Sequence, residues 1–429
     1  MDFRLNRRHF LMGSSALAAA GALSPALAQD KRLRLLFWGG QARADRTYGV
    51  TDLYTKANGV AFDGEFMAFQ DYWPKLGTQV AGGNAPDVIQ MDYRYIVEYA
   101  TRNAIAPLDE FVGKELQLDD FDKDQLDGGK VDGKLYGISL GANSVAMMVN
   151  TAAMTEAGVA IDRNTSYEDL AALAEKFNAG TKRAGMRLLA DGSGSEPALE
   201  NWLRQRGKAL YTADGKAAFD DKDMSEWFQL WADLRKANVC VAPEDQALDA
   251  NDSIENTMVI LGKAATSYAN SNQLIAFQKV AKDPLDMANF PRAKAGAGGG
   301  HYRKPSMFFS VGASSQAKAE AAKFINFFIT DPDATKILGV ERGIPCKKST
   351  RDNIAPGLDA QSQVALNFVS NLGDLLGALP PSPPANAGEV SQALRTKSQE
   401  VAFGQQSPAD AGPAFVQQAT DILARAKKS

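Results

Sequence analysis

The stretch AGGNAPDVIQMD, residues 81–92, contains the turn and the strand that decide the fold. Two glycines and an Asn-Ala-Pro turn end the preceding segment, and DVIQM then has the pattern of a short apolar strand that ends at Asp92. Two further strand patterns, RLRLLFW and VAFDGEFMAF, precede it, and helices are predicted over 46–58 and 71–80. This alternation predicts an α/β fold with a mostly parallel sheet covered by helices on both faces.

Residues at the ends of these three strands are the first candidates for a functional site. Ligands of open α/β sheets bind at the carboxyl ends of the strands. Trp38, Gln70 and Asp92 each lie at such an end, so we expect them to meet at one rim that faces a cleft. Asp92 has an alternative role as the cap of the helix predicted over DYRYIVEYA.

The first 28 residues have the pattern of an export signal. Arg7 and Arg8 precede an Ala-rich apolar run that ends in ALA, which predicts a twin-arginine signal cleaved after Ala28; an ordinary Sec signal is the alternative. The run is too short to span a membrane. We therefore expect a protein of the bacterial periplasm.

Length and charge restrict the remaining chain. A chain of 429 residues predicts two or more globular units. Removal of residues 1–28 takes away three basic residues and one acidic residue, which leaves 44 basic and 50 acidic residues and a net charge of −6. This mild acidity and the lack of a basic cluster argue against a nucleic-acid partner.

The chemistry that the sequence lacks argues for binding rather than catalysis. Beyond residue 28, His301 is the only histidine, and its Gly-rich surroundings predict an exposed loop residue. A His-ligated metal cluster is therefore excluded, and neither a G-x-S-x-G motif nor a phosphate-binding loop is present. We predict no catalytic residue, no metal and no cofactor. Cys240 and Cys346 could form a disulfide in an oxidising compartment or remain two separate buried thiols.

Several stretches carry a resemblance that spans nearly the whole mature chain. In chain order they are LLFWGG, GNAPDVIQMD, GKLYGISLGANSVAMMVNTAAM, GKAATSYANSN and AKAEAAKFINFFITDPDATKILGVERGIPCKKST. Together they resemble the extracellular solute-binding proteins of family 1, the sugar-binding subunits of bacterial ABC importers related to maltose-binding protein. The stretch YWPKLGTQVAGGNAPDVIQMD is most similar to the branch that handles pectin-derived and other plant-wall saccharides.

The resemblance implies a two-lobe clamp in which each lobe is a mostly parallel sheet flanked by helices. The first lobe is expected at 29–140 and 300–342, and the second at 141–299 and 343–429. By this resemblance, the hinge crossings between the lobes are expected at about 139–144, 291–304 and 340–346 of this sequence. In this family the sugar closes the lobes, and the closed form, a monomer, delivers it to the inner-membrane permease.

Sugar chemistry selects the expected contacts. Sugar rings stack on aromatic side chains, and their hydroxyls pair with Asp, Asn, Gln and Arg. The candidates are Trp38, Arg43, Gln70 and Asp92 in the first lobe, Asn143 and Ser144 at the first crossing, Asp191, Ser193, Trp202, Asn270 and Asn272 in the second lobe, and Phe308 and Arg342 near the other crossings. The alternatives are core positions for Trp38, Trp202 and Phe308, solvated loop charges for Arg43 and Arg342, and turn positions for Asn270 and Asn272.

One departure from the maltodextrin-binding relatives concerns the C-terminal region. Where those relatives bring an aromatic side chain into the cleft, this chain has LPPSPPANAGEVSQALR, which contains none. Polar contacts would then supply more of the affinity. Arg43 and Arg342, if both face the cleft, would favour an acidic sugar such as a uronate, because guanidinium binds carboxylate in a bidentate fork.

Two other functions remain open at this point. The same clamp could take a polyamine or an amino-acid derivative. An enzyme, a periplasmic lyase or hydrolase, could use paired carboxylates and would need no histidine. The acidic stretch LDDFDKDQLD is better explained as a charge-rich surface turn.

Overall fold

The structure, a computed structural model, describes residues 32–249, 253–381, 383–384 and 386–426. The predicted export signal and its cleavage site lie outside the described residues. No helix in the described part of the chain is both long enough and apolar enough to cross a bilayer.

Strands and helices alternate along most of the chain. The strands are β1 (Arg32–Trp38), β2 (Ala61–Met67), β3 (Val88–Met91), β4 (Lys130–Val131), β5 (Lys134–Leu135), β6 (Ile138–Ser139), β7 (Ala142–Asn143), β8 (Val145–Asn150), β9 (Thr266–Asn270), β10 (Leu285–Ala288), β11 (Lys304–Pro305) and β12 (Phe308–Val311). The helices are α1 (Gln41–Asn58), α2 (Phe69–Ala81), α3 (Ile96–Thr101), α4 (Lys123–Gly128), α5 (Thr151–Ala157), α6 (Leu170–Gly180), α7 (Glu196–Gln205), α8 (Asp221–Lys236), α9 (Pro243–Gln246), α10 (Leu274–Val280), α11 (Lys318–Thr330), α12 (Pro332–Leu338), α13 (Lys348–Ile354), α14 (Ala360–Ser370), α15 (Ala387–Ala402) and α16 (Pro408–Ala426).

The first lobe is built on a five-stranded sheet in the order β2-β1-β3-β12-β6. The three N-terminal strands are parallel, as the sequence predicts, because α1 and α2 each return the chain to the same end of the sheet. β12 runs antiparallel to β3 and pairs Phe308 with Met91, so the strand that arrives from the second lobe starts where β3 ends. The carboxyl ends of β1, β2 and β3 and the start of β12 therefore form one rim.

The second lobe has a three-stranded sheet in the order β10-β8-β9. Both neighbours run antiparallel to β8, so the prediction of a mostly parallel sheet is wrong for this lobe. The reason lies in the crossings. β8 leaves the crossing and enters the lobe, whereas β9 ends beside the start of β8, with Asn270 paired to Val145, and β10 leads back toward the next crossing.

The crossings pair with one another. β7 pairs antiparallel with β11, and Ala142 exchanges two backbone hydrogen bonds with Ile344, at 2.7 and 2.9 Å. The chain then stays with the first lobe: Thr350 Oγ1 donates to the Ile329 carbonyl at 3.0 Å, and Arg351 pairs with Asp122 at 2.7 Å. The predicted boundary at 342/343 is therefore too early. Contacts with the second lobe begin at α14, which packs on α10 and β10.

Each lobe has its own hydrophobic core, and the two cysteines lie in different ones. Cys346 is buried in the core of the five-stranded sheet, and Cys240 is buried in the second-lobe core with Trp227 and Trp231. Both cysteines are free thiols. The disulfide considered from the sequence is therefore wrong, and the alternative of two separate buried thiols is correct.

His301 joins three segments at the crossings, so the prediction of an exposed loop histidine is also wrong. It is 1% exposed. Its Nε2 accepts the Phe290 N–H at 3.2 Å, its Nδ1 lies 3.4 Å from Ser144 Oγ, and its backbone N–H donates to the Leu375 carbonyl at 2.9 Å. Burial lowers the pKa of the imidazole to about 3, so the ring is neutral at physiological pH.

Candidate functional site

A cavity of about 400 Å³ lies in the second lobe beside the crossing strands. Its wall is formed by the start of β8, the end of β9, the loop at 190–197 and one face of α15. None of the described residues that line it comes from the five-stranded sheet of the first lobe. The volume falls within the range of small-molecule sites in proteins. We call it the second-lobe cavity.

The lining of the second-lobe cavity combines neutral polar side chains and aromatic rings with four charged residues, Asp191, Glu196, Asp249 and Arg395. The polar ones are Ser193, Ser195, Gln246, Thr257, Ser267, Asn270, Gln273, Ser391, Ser398 and Gln399, and the aromatic ones are Tyr268, Phe277, Phe290 and Phe403. Hydroxyl and amide groups exchange hydrogen bonds with a ligand, and ring faces pack against its C–H groups. The cavity therefore suits a hydroxyl-rich small molecule.

Of the predicted residues, Asp191, Ser193 and Asn270 line this cavity. The Asp191 carboxylate, however, is bound within the lobe: it pairs with Arg235 at 2.5 Å and accepts the Ser193 N–H at 2.9 Å. The Trp227 Nε1–H donates to the Ser193 carbonyl at 2.9 Å. These bonds fix the shape of the loop at 190–197, so Asp191 positions the wall of the cavity.

Asn270 is the last residue of β9 and Asn272 lies two residues further on, and both are exposed. The Asn270 backbone N–H donates to Gln273 Oε1 at 2.8 Å, and the two residues form a capping box for the next turn. Asn270 therefore has both the predicted site position and the alternative turn role. Asn272 is not among the residues that line the cavity.

One face of α15 supplies groups that the sequence analysis missed. Ser391, Arg395 and Ser398 recur at helical spacing and line the cavity. Ser398 is 3% exposed, and its hydroxyl has no hydrogen-bond partner among the described residues. Phe403, directly after the helix, also lines the cavity and is 44% exposed. An aromatic ring is thus present in the C-terminal region, just beyond the stretch in which the sequence analysis found none.

A charged cluster lies at the edge of the cavity that faces the first lobe. Ser195 caps α7, and Glu196 and Glu200 follow on one face of that helix. Burial and the Glu200 carboxylate raise the pKa of Glu196 to about 7, while a hydrogen bond from Ser391 and the charges of Arg94 and Lys304 oppose that shift. Arg94 follows β3 and Lys304 lies in β11, so this cluster joins both lobes and a crossing.

Glu200 belongs to the same cluster. Burial raises the pKa of its carboxyl, while a hydrogen bond from the Tyr302 hydroxyl at 2.8 Å and the positive charges of Arg204 and Lys304 act against the rise. The sequence signal at this place is Ser-Glu-Pro at 195–197, which is typical of a helix start and does not by itself indicate a ligand contact.

The predicted aromatic contacts belong to the cores. Trp38 is 7% exposed, and its ring packs against those of Tyr72 and Trp73. Phe308 is fully buried. Trp202 packs on Trp227 with ring centroids 5.5 Å apart. All three side chains have the core role given above as the alternative. Trp38 and Phe308 are directed into the first-lobe core by their strands, and Trp202 lies on the buried face of α7.

Arg43 and Arg342 are neither cleft residues nor solvated loop charges. Arg43 pairs with Glu341 at 2.9 Å and donates to the Trp38 carbonyl at 3.1 Å. Arg342 is 3% exposed; it donates to Thr47 Oγ1 at 2.8 Å and pairs with Glu341 at 3.3 Å. The argument for an acidic sugar from these two arginines is therefore wrong, because their charges are used inside the first lobe.

The remaining predicted residues lie at the rim and the crossing. Asp92 Oδ1 accepts the Arg94 N–H at 2.8 Å in the turn before α3, whose N-cap is Tyr95, so Asp92 stabilises that turn and is not the helix cap. Ser144 is 2% exposed and bound to Ser271 and His301, so it holds the crossing together. Asn143 lies in β7, and its Oδ1 has no partner among the described residues. The side chain of Gln70 lies outside the described residues.

In the described part of the chain, no group of three His, Cys, Asp or Glu side chains could hold a metal.

Two lobes joined by paired crossings, with a polar cavity beside them, define the class of periplasmic-type solute-binding proteins. A model of the bacterial extracellular solute-binding proteins matches residues 50–363, and the chain belongs to that family, which serves ABC importers.

Solved structures agree with this assignment. An extracellular solute-binding protein of family 1 from Alicyclobacillus acidocaldarius is 30% identical, with a TM-score of 0.80 over 91% of this chain and 98% of that one. An oligogalacturonide-binding protein from Yersinia enterocolitica is 21% identical, with a TM-score of 0.76 over 92% of this chain and 99% of that one. An ABC substrate-binding protein from Listeria monocytogenes, solved with cycloalternan, is 19% identical, with a TM-score of 0.69 over 93% of this chain and all of that one.

Proposed function

We propose that the chain is the exported binding subunit of an ABC importer and captures a carbohydrate, which it delivers to the inner-membrane permease as a monomer. The observation that carries the proposal is the lining of the second-lobe cavity, which brings hydroxyls and amides together with aromatic rings. The relatives from Yersinia and Listeria were solved as saccharide binders, which supports this class of solute. Cleavage after Ala28 and export to the periplasm are part of the same proposal.

Hinge closure requires contacts from both lobes. A ligand shifts an open–closed equilibrium only by its differential affinity for the two states. The second lobe offers Ser398 and Glu196, the first lobe offers Arg94, and the crossing offers Lys304. A saccharide held in the second-lobe cavity would therefore gain its closed-state contacts at the charged cluster.

The charged cluster gives a reason to expect an acidic sugar that does not depend on Arg43 or Arg342. Arg94 and Lys304 are exposed and form no ion pair within 4 Å among the described residues. A guanidinium and an ammonium so placed can receive a sugar carboxylate as the lobes close. Uronates and plant-wall oligosaccharides are therefore tested beside neutral sugars, and polyamines remain in the test because Glu196 and Glu200 belong to the same cluster.

The test is thermal unfolding of the mature protein against neutral sugars, uronates, aminated sugars and plant-wall oligosaccharides. A ligand at 100 times its dissociation constant adds about 2.7 kcal/mol to the free energy of unfolding. A shift with one class identifies the solute. If none of these carbohydrates shifts the unfolding midpoint, the carbohydrate proposal is overturned. A shift with a polyamine or an amino-acid derivative alone would indicate the other solute class, and release of a changed product would indicate an enzyme.

A pair of variants locates the site. Ser398→Ala removes a buried hydroxyl that has no partner, so the ligand-free protein should keep its stability, whereas sugar affinity should fall about fivefold through the loss of one hydrogen bond. Thr266→Val is the matched control, because the Thr266 hydroxyl is also buried without a partner but does not line the cavity. Equal affinities in both variants would place the sugar elsewhere.

A further inference from the structure

A second, smaller cavity of about 30 Å³ lies inside the first lobe, beside the segment 340–346. It is bounded by the end of α11, by α12 and by the start of α13. Such a volume holds one or two water molecules or a single halide ion, since about 10–15 Å³ is enough for one water. We call it the Arg342 cavity. It shares no residue with the second-lobe cavity.

The charged residues in the described lining of the Arg342 cavity are both cationic, and the other lining residues are neutral. Arg342 and Lys347 both line it, and they are 3% and 8% exposed. No aspartate or glutamate is among its described lining residues. The Arg342 Nε is buried and has no hydrogen-bond partner among the described residues. A buried donor of a charged group that is left unpaired is costly, so a ligand that accepts from it is favoured.

The carboxylates outside the cavity do not balance these charges fully. Lys347 pairs with Asp120 at 2.9 Å. Arg342, however, shares its single carboxylate partner, Glu341, with Arg43, so that one negative charge lies between two guanidinium groups. Burial and the charges of Arg43 and Arg46 lower the pKa of Arg342 to about 9, which agrees with an excess of positive charge at this point.

We propose that the Arg342 cavity is a binding site for a small monovalent anion of halide size. The anion accepts the Nε–H of Arg342 and lies in the field of Lys347. Glu341 balances the charge of the Arg342 guanidinium only in part, because it also pairs with Arg43. The anion supplies the missing negative charge, which a neutral water molecule would not do. Because the lining includes Leu338 and Gly339 at the end of α12 and Pro345 and Cys346 after the crossing, the anion fastens that helix to the hinge segment. The site is independent of the proposed function.

Diffraction from crystals of the full mature protein soaked in bromide tests the site directly. We expect an anomalous peak within hydrogen-bond distance of the Arg342 Nε. A well-ordered water without anomalous signal at that place overturns the proposal. This measurement uses the wild-type chain, so it decides the question even if substitutions in the cavity prevent folding.

Thermal unfolding gives the solution counterpart. Replacement of gluconate by chloride at constant ionic strength should raise the unfolding midpoint. The midpoint should then rise further with the logarithm of the chloride concentration. Arg342→Gln should lose this dependence. Arg46→Gln is the matched control: it removes the same charge, but its exposed guanidinium binds the Ile337 and Leu338 carbonyls and does not line the cavity. Equal midpoints of the wild-type protein in chloride and gluconate overturn the proposal.

Discussion

The buried imidazole of His301 makes the stability of the protein depend on pH in a measurable way. Its folded-state pKa is about 3, lowered first by burial and then by the charges of Arg204 and Arg163, whereas a histidine in an unfolded chain has a pKa near 6.5. Between these values the unfolded state binds a proton that the folded state does not. The contribution of the neutral histidine to stability is therefore complete above pH 6.5 and is lost as the pH falls toward 3.

The magnitude follows from the difference between the two pKa values. Each unit below pH 6.5 costs about 1.36 kcal/mol for this one group, so that a change from pH 7 to pH 5 removes about 2 kcal/mol. This is a large fraction of a typical folding free energy. Carboxyl groups with ordinary pKa values begin to titrate only near the lower end of this interval. Glu196, whose pKa is raised to about 7, changes stability in the opposite direction, so the histidine contribution has to be read from the difference between the wild-type protein and a variant without the histidine.

Urea unfolding of the mature chain and of a His301→Gln variant, at pH 7 and pH 5, measures this contribution. Glutamine does not titrate, so the variant, although less stable at both pH values, should lose about 2 kcal/mol less between them. A chain that starts at residue 29 and carries no histidine tag contains this histidine alone, so NMR can follow its ring without overlap. A ring that titrates near pH 6 in the folded protein, or equal losses in both proteins, would refute the reasoning.

Three further predictions concern the second lobe and the thiols. Asp191→Asn should destabilise the protein by about 3 kcal/mol in urea unfolding, because it leaves the buried Arg235 guanidinium without its counter-charge; a loss under 1 kcal/mol would contradict this. Reductant should leave the unfolding midpoint unchanged, and Cys240 and Cys346 should both react with a thiol reagent only after unfolding. Glu196→Gln should raise the free energy of unfolding by about 1 kcal/mol at pH 8 but not at pH 4. A carboxyl whose pKa is raised by folding destabilises the protein only at pH values above its pKa in the unfolded chain. An equal gain at both pH values would contradict the assigned pKa.

The first lobe could be predicted from the sequence because its signals are local. The glycine turn and the strand DVIQM occur where β3 is found, and the parallel pairing of β1, β2 and β3 follows from the helices between them. The second lobe was predicted less well. The direction of β9 and β10 depends on how the chain returns to the crossings, and no local pattern encodes that return.

The site was predicted as a region rather than as a set of contacts. Asp191, Ser193 and Asn270 do line the cavity, because a polar loop between apolar segments marks such places. Arg43 and Arg342 could not be assigned, since whether an arginine faces a cleft or a buried partner depends on residues about 300 positions away, here Glu341 and Thr47. Ser398 was missed because nothing in a polar helix distinguishes its face toward a ligand from its face toward water.

The second-lobe cavity has a kinetic consequence. Its described lining lies almost wholly within one lobe, so a solute can be held there while the first lobe is still distant. Encounter and closure are then separate steps: diffusion to the open second lobe sets the association rate, and the time that the lobes stay together sets the dissociation rate. Substitutions at the first-lobe rim should therefore shorten the residence time of the solute and leave its rate of capture unchanged.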